Sequence, residues 1–256
     1  MYVRSFVLAA LALSLGCGAS SSTEDGGTDT PDMLPASQCQ AIAPTCTDEQ
    51  IQDLDLFKAP SPATRMVTNT ADGTGFSSSV DAVGGGHAPT ESYVYAKFTP
   101  TGLVKVDLGD EAAFASTAWD IAFRRFVVRL NSGVSGPSCV TGARTPVADY
   151  STISSVPAGL QLASETYYSS TCALVTDDSG LGSPGTLLAT FWTYQGCVRM
   201  TNSVYVIQTA DGKKLKLTVD RYYDGAVQAA CDTSGMMSAD QGAAAAHIGL
   251  RWAYLP

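Results

Sequence analysis

Few residues in this chain are of a type that does chemistry. Among 256 residues there are 2 histidines, His87 beside Gly84-Gly85-Gly86 and His247 close to the C-terminus. Two histidines exclude a polyhistidine metal site. A Ser-His-Asp triad would have to use one of them, and nothing local to either marks a nucleophile. Asp177-Asp178 sets two carboxylates side by side, as a calcium ligand pair or as a solvated turn. The Ser179-Gly180 that follows favours the turn. Arg124-Arg125 could pair an anionic ligand, although an ion pair within the protein is the commoner use of such residues. Asp211-Gly212-Lys213-Lys214 reads as a hairpin turn rather than a phosphate site. There is no Gly-x-Ser-x-Gly elbow, no His-Glu-x-x-His, no Walker loop and no Rossmann glycine pattern. The sequence therefore reads as a non-enzyme, with no catalytic residue assigned.

The 7 cysteines carry the other chemistry. Arg4 precedes the apolar run Phe6–Leu13, and Ser14-Leu15-Gly16-Cys17 follows. A positive n-region, a short apolar core and a small residue before the cut describe a secretory signal over residues 1–16. The Gly-Cys cut resembles a bacterial lipobox, which makes Cys17 the lipidation site. Ser14 stands where such a box usually has Leu. Removing Arg4 takes the 15 bases to 14 against 24 acids. It also leaves six cysteines to pair: Cys39, Cys46, Cys139, Cys172, Cys197 and Cys231. An even set in an exported chain reads as disulfides. Fifteen pairings are open for six cysteines, with a preference for nearest neighbours: Cys39–Cys46, Cys139–Cys172 and Cys197–Cys231. No Cys-x-x-Cys occurs, so neither a zinc site nor a dithiol is supported.

Residues 17–38 are mostly Ser, Thr, Gly, Asp and Pro and read as a flexible tether, with the folded domain over 39–256. The chain is 45% hydrophobic but only 15% charged, with a net charge of −9. That composition suits a β-rich exported protein. It excludes nucleic acid as a partner, because there is no basic surface to displace counterions. Thr47 to Gln50 predicts a short helix capped by Thr47. Tyr93–Phe98 and Leu103–Leu108 alternate around Pro100-Thr101-Gly102, a hairpin signal. Asp110–Ala115 predicts one helical turn. Trp119, Ile121 and Phe123 alternate with Asp120, Ala122 and Arg124, which predicts a half-buried strand continued after a kink by Phe126–Leu130. Ser203–Thr209 and Lys214–Asp220 flank Asp211-Gly212 as a second hairpin, with Leu215, Leu217 and Val219 inward. His247–Leu255 is strand-like, and Gln241–Ala246 favours helix on composition. The sum is one all-β domain of antiparallel sheets with one or two short helices.

Alternation does not explain all of Trp119-Asp120-Ile121-Ala122-Phe123-Arg124-Arg125 followed by Asn131-Ser132-Gly133. This string resembles the signature of the HmuY family, haem-binding lipoproteins of Gram-negative bacteria. There a Trp-Asp-hydrophobic-Ala-Phe-x-Arg strand leads into Asn-Ser-Gly. The Cys17 signal, the hairpin before the motif and the Lys-Leu-Lys-Leu strand ending in Tyr222-Tyr223 agree with it. The resemblance covers about Glu91 to Pro256 and implies a twisted antiparallel fold that pinches a flat ligand between loops. The signature residues Trp119, Asp120, Phe123, Arg124, Asn131, Ser132 and Gly133 read as structural: Trp119 and Phe123 in core, Asp120–Arg124 as an ion pair, Asn131–Gly133 as a turn.

Haem is the cofactor the resemblance implies, with its iron the only metal expected. Family members hold the iron with His or Met side chains from loops. The candidates are His87, His247, Met236 and Met237, with Met200 a weaker one. Each also has an ordinary reading as a loop, surface or gap-filling residue. The expectation is an outer-membrane lipoprotein of a Gram-negative bacterium, on its surface or periplasmic face, that captures haem and meets the membrane through its lipid alone. The alternative is a divergent module on the same scaffold for a non-haem apolar ligand or a protein partner. No receptor or oligomer partner is readable.

Overall fold

The computed structural model describes residues 39–56, 61–84, 90–236 and 244–256. The signal segment 1–16, the lipidation site Cys17, the tether 17–38, His87, Met237 and residues 241–243 lie outside the described residues. No described helix is long and apolar enough to cross a membrane.

Helix α1 (Thr47–Asp53) precedes a polar hairpin, β1 (Val67–Asp72) and β2 (Gly75–Asp81). The expected hairpin follows as β3 (Val94–Thr99) and β4 (Gly102–Val106), then the expected helical turn α2 (Asp110–Ala113). Next come β5 (Ile121–Arg124), β6 (Val127–Leu130) and β7 (Thr141–Arg144). After a long loop segment come β8 (Trp192–Tyr194) and β9 (Val198–Met200). The second expected hairpin is β10 (Val204–Gln208) and β11 (Lys214–Tyr223). Helix α3 (Gly225–Ser234) and β12 (Ala245–Tyr254) complete the chain.

All strand pairs are antiparallel, so the all-β expectation holds. One sheet has six strands in the order β1-β2-β12-β11-β10-β7, one has four in the order β4-β3-β5-β6, and β8-β9 stand as a pair. In β11 the residues Leu215, Leu217 and Val219 are fully buried, as the alternation predicts. They join Trp252, Ile207 and Phe123 in a core shared by the two large sheets. A second cluster around Trp119, Tyr95 and Tyr167 lies with α1 and α2.

Several expectations are corrected. The described residues hold three helices rather than one or two; α3 escapes the sequence reading because it carries no strong apolar period. Ala245 and Ala246, expected helical, are in β12. Helix α1 starts after Cys46, and no side chain caps it. Gln50 instead gives its amide to the carbonyls of Thr45 and Val134. The Trp119–Arg124 strand is buried on both faces, not one. Val127–Leu130 does not continue β5 after a kink but folds back on it as a hairpin. The turn is Arg125-Phe126, with Arg125 at φ 51.

Only Cys197–Cys231 pairs with its nearest neighbour in sequence. Cys39 bonds Cys139 and Cys46 bonds Cys172. The N-terminal segment runs along the loops after β6, where the Ile42 N–H donates to the Pro137 carbonyl at 3.0 Å. That course brings distant cysteines together.

Candidate functional site

The signature strand is built into the floor of the molecule. Trp119 is fully buried and donates its indole N–H to the Ala113 carbonyl at 3.1 Å, tying it to α2. Asp120 does not pair with Arg124. Its carboxylate accepts the Phe98 N–H at 3.0 Å and lies 4.0 Å from the Lys97 ammonium, and burial pushes its pKa up. Arg124 turns the other way. It lies 4.1 Å from the centre of the Tyr93 ring and 3.9 Å from Asp110, and donates to the carbonyls of Leu54 and Asp55. It therefore clamps the end of α1 to β5. A hydrogen bond to a backbone carbonyl satisfies a buried guanidinium without needing a carboxylate for each donor.

Asn131-Ser132-Gly133 is more than a turn. Asn131 donates to the carbonyls of Ser116 and Trp119 and accepts from the Ser138 N–H. Gly133 has φ 55, and a Cβ there would lie 2.2 Å from the Glu165 carbonyl oxygen, so no other residue fits. The signature residues Trp119, Asp120, Arg124 and Asn131 are thus buried and bonded within this floor, through partners other than those expected.

Above this floor the Arg125-Phe126 turn enters a cleft of about 600 Å³. That volume lies in the range of small-molecule sites. The walls come from distant parts of the chain: Asp53 to Asp55 at the end of α1, residues 181–184, Tyr194 and Val198 of the β8–β9 hairpin, Tyr222 and Tyr223 at the end of β11, and Ala245. Phe126 packs on Trp192 with ring centres 4.9 Å apart, and Tyr222 meets Tyr223 edge-on at 4.8 Å. These contacts hold the rings in offset and edge geometries that aromatic pairs prefer.

Helix α3 fixes this wall. Gln228 accepts the N–H groups of both Tyr222 and Tyr223, at 2.8 and 3.0 Å. The Tyr223 hydroxyl accepts the Val198 N–H at 3.1 Å, and the Cys197–Cys231 disulfide joins the β8–β9 hairpin to α3. Burial pushes the Tyr222 hydroxyl up to about 12, against the opposing charge of Arg125, so it is a neutral phenol at neutral pH. Tyr223 is also raised by burial. The cleft therefore offers ring faces, neutral hydroxyls, the Arg125 guanidinium and, at the α1 end, the Asp53 and Asp55 carboxylates. The ring faces suit a flat, largely apolar ligand, and the guanidinium suits an acidic group at its edge.

Neither candidate iron ligand among the described residues, His247 or Met236, lines the cleft. His247 lies on β12, 3.7 Å from Asp224, and does not line the cleft. Met236 follows the end of α3, is 70% exposed and is likewise not a wall residue. Met200 packs against the main core. His87 and Met237 are outside the described residues. Among the described residues no three His, Cys, Asp or Glu side chains gather as a metal site. Asp177 is a turn residue that accepts from Ser179. Sequence reasoning missed Tyr93, Phe126 and Tyr194 as wall residues. The one available signal was Tyr194, an aromatic beside the Gln195-Gly196 turn.

Residues 89–238 match the model of the HmuY protein family. A solved structure from Bacteroides vulgatus, described as an HmuY-like heme-binding protein, is 16% identical. The match covers 72% of this chain and 94% of that one, with a TM-score of 0.44. An apo HmuY analog from Tannerella forsythia is 15% identical over 75% of this chain and 97% of its own, with a TM-score of 0.40. A Bacteroides fragilis structure, described as a lipoprotein, is 16% identical over 73% and 94%, with a TM-score of 0.45. No curated protein matches the chain.

Proposed function

The chain belongs to the HmuY family, and from that premise we propose that it is an exported, lipid-anchored protein that captures haem in the cleft beside the signature strand. The observation that carries this reading is the cleft wall. Phe126, Tyr194, Tyr222 and Tyr223 surround a space that also receives the Arg125 turn. A porphyrin ring needs such apolar faces, and its propionates need a cation. The chain's own part is to hold the rings apart and exclude water from the ligand's faces. The Gln228 clamp and the Cys197–Cys231 disulfide keep that wall preformed, which lowers the ordering cost of binding.

Iron, once bound, takes axial ligands that set its spectrum. His87 and Met237 are our candidates for this role, ahead of His247 and Met236, which do not line the cleft. Lipidation of Cys17 and a site at the outer membrane belong to the same proposal, with residues 17–38 as the tether.

Titrating haemin into the protein and following the Soret band tests the reading. A saturable red shift at one haemin per chain is expected. Loss of the shift in His87→Ala or Met237→Ala would name the ligand. A flat titration overturns haem capture and leaves a module for a different apolar ligand or a protein partner.

A further inference from the structure

Arg125 differs from the other inward-facing arginines. Among the described residues that are buried or half-buried, Arg65 bonds Glu91, Arg124 bonds the Leu54 and Asp55 carbonyls, and Arg129 bonds Ser135 and Tyr95. Arg199 bonds the Asp232 carbonyl and Arg221 bonds Ser79. Arg125 is half-buried in the cleft wall, yet its guanidinium makes no hydrogen bond or ion pair to a described residue. Its guanidinium lies 5.9 Å from the Phe126 ring centre, and its charge is felt by the neutral Tyr222 and Tyr223 hydroxyls. Asp53 and Asp55 line the same cleft, but neither pairs with it, and the Asp53 carboxylate accepts the Tyr168 hydroxyl at 3.1 Å.

The backbone holds Arg125 at a cost. A non-glycine residue at φ 51 is disfavoured, and here the Arg125 N–H is secured by the Ala82 carbonyl at 2.7 Å. This tight turn projects the side chain into the cleft. A partly desolvated cation without a counter-charge is unfavourable until an anion meets it. Arginine suits that task, because its planar fork matches a carboxylate and its face lies against aromatic rings.

We infer that Arg125 is the anion anchor of the cleft, and that the ligand class is a planar, apolar molecule bearing a carboxylate at one edge. This rests on the capture reading above but extends it to a residue and a functional group. Arg124, next to it, has no such role, because its donors are committed to the floor.

The test compares haemin with its dimethyl ester, and 1-pyrenebutyrate with 1-pyrenebutanol, on the wild-type chain and on Arg125→Gln and Arg125→Lys. Wild type is expected to bind each acid at least about tenfold tighter than its neutral partner, with the gap narrowing as salt rises. Arg125→Gln is expected to remove that gap by weakening the acids at least about tenfold more than the neutral probes, whose retained binding reports the wall. Arg125→Lys is expected to restore part of it. If haemin binds and Arg125→Gln keeps the full preference for acid, the anchor is overturned and capture stands. If pyrenebutyrate binds through Arg125 and haemin does not, haem capture falls and the anchor stands. If wild type binds none of the four probes, both fall.

Discussion

In β11, Leu215, Leu217 and Val219 are buried in a ladder flanked on both sides by strands. Between Arg144 and Leu188 the chain forms no strand, only a 3-10 turn at Tyr150–Thr152 and single antiparallel bridges. Yet Tyr167, Tyr168 and Glu165 are buried there. The sheet is held by repeated backbone pairing over an apolar face. The loop segment is held at points: Cys46–Cys172, the Glu165 carboxylate on the N–H groups of Leu130 and Leu187, and Gly133 against the Glu165 carbonyl. Distributed bonding tolerates the loss of one contact better than point fastening does. The cleft draws walls from both regions, with Tyr222 and Tyr223 from the sheet and residues 181–184 from the loops.

The largest effect should come from a fastener. Cys46 and Cys172 are 126 residues apart, and closing a loop of that size restricts the unfolded chain by about 4–5 kcal/mol. Replacing both by Ala should lower urea-unfolding stability by about that much. The same change at Cys197 and Cys231, 34 apart, should cost about 1 kcal/mol less on loop length alone. A smaller loss at Cys46 and Cys172 than at Cys197 and Cys231 would break the comparison.

The next effect depends on pH. Burial pushes the Glu165 carboxyl from 4.5 to about 7, although two backbone N–H groups and Arg129 pull it down. Its folded pKa is raised, so the folded state holds the proton more tightly than the unfolded one. The resulting stability is full below about pH 4.5, falls as pH rises toward about 7 and is flat above. The span is on the order of 3 kcal/mol. Glu165→Gln should remove that slope, at a fixed cost of about 1–3 kcal/mol for a backbone N–H left without its acceptor. Urea melts across pH 4 to 8 check it (a range set by about those two limits). An unchanged slope in the variant would assign the pH dependence elsewhere.

The same division governs what the sequence reveals. Alternation and runs of β-favouring apolar residues exposed β3, β4, β10, β11 and β12; β10 and most of β12 are buried on both faces, so there residue type, more than alternation, carried the signal. It missed β1 and β2, which are Ser- and Thr-rich and whose buried positions include Ser78, held by Asn69 and Trp252. It misread β5 as half-buried, because Asp120 and Arg124 look like surface residues until Phe98, Leu54 and Asp55 supply their partners. Cysteine pairing was open for the same reason: proximity across 100 residues leaves no local trace. The signature string exposed the family, and with it the floor of the site. The cleft wall was hidden, because Tyr93, Phe126, Tyr194 and Tyr222 converge only through topology.

The smallest effect lies at the tip of the β10–β11 hairpin and sharpens the contrast. Gly212 has φ 82, and no atom lies within 4 Å of where a Cβ would stand. The turn around it is secured by Asp211, which accepts the Thr209 hydroxyl and the Lys213 ammonium, at 2.5 and 2.8 Å. Gly212→Ala should therefore cost only the left-handed backbone penalty, about 1 kcal/mol, and Gly212→Asn less, because Asn enters that region more readily. Thermal melts of the two variants measure it. Gly133 shares the positive φ but has a carbonyl oxygen where Gly212 has open space. If Gly212→Ala matched Gly133→Ala in its loss, backbone conformation alone would account for both glycines, and the loop segment would not be held through close contact at its fasteners.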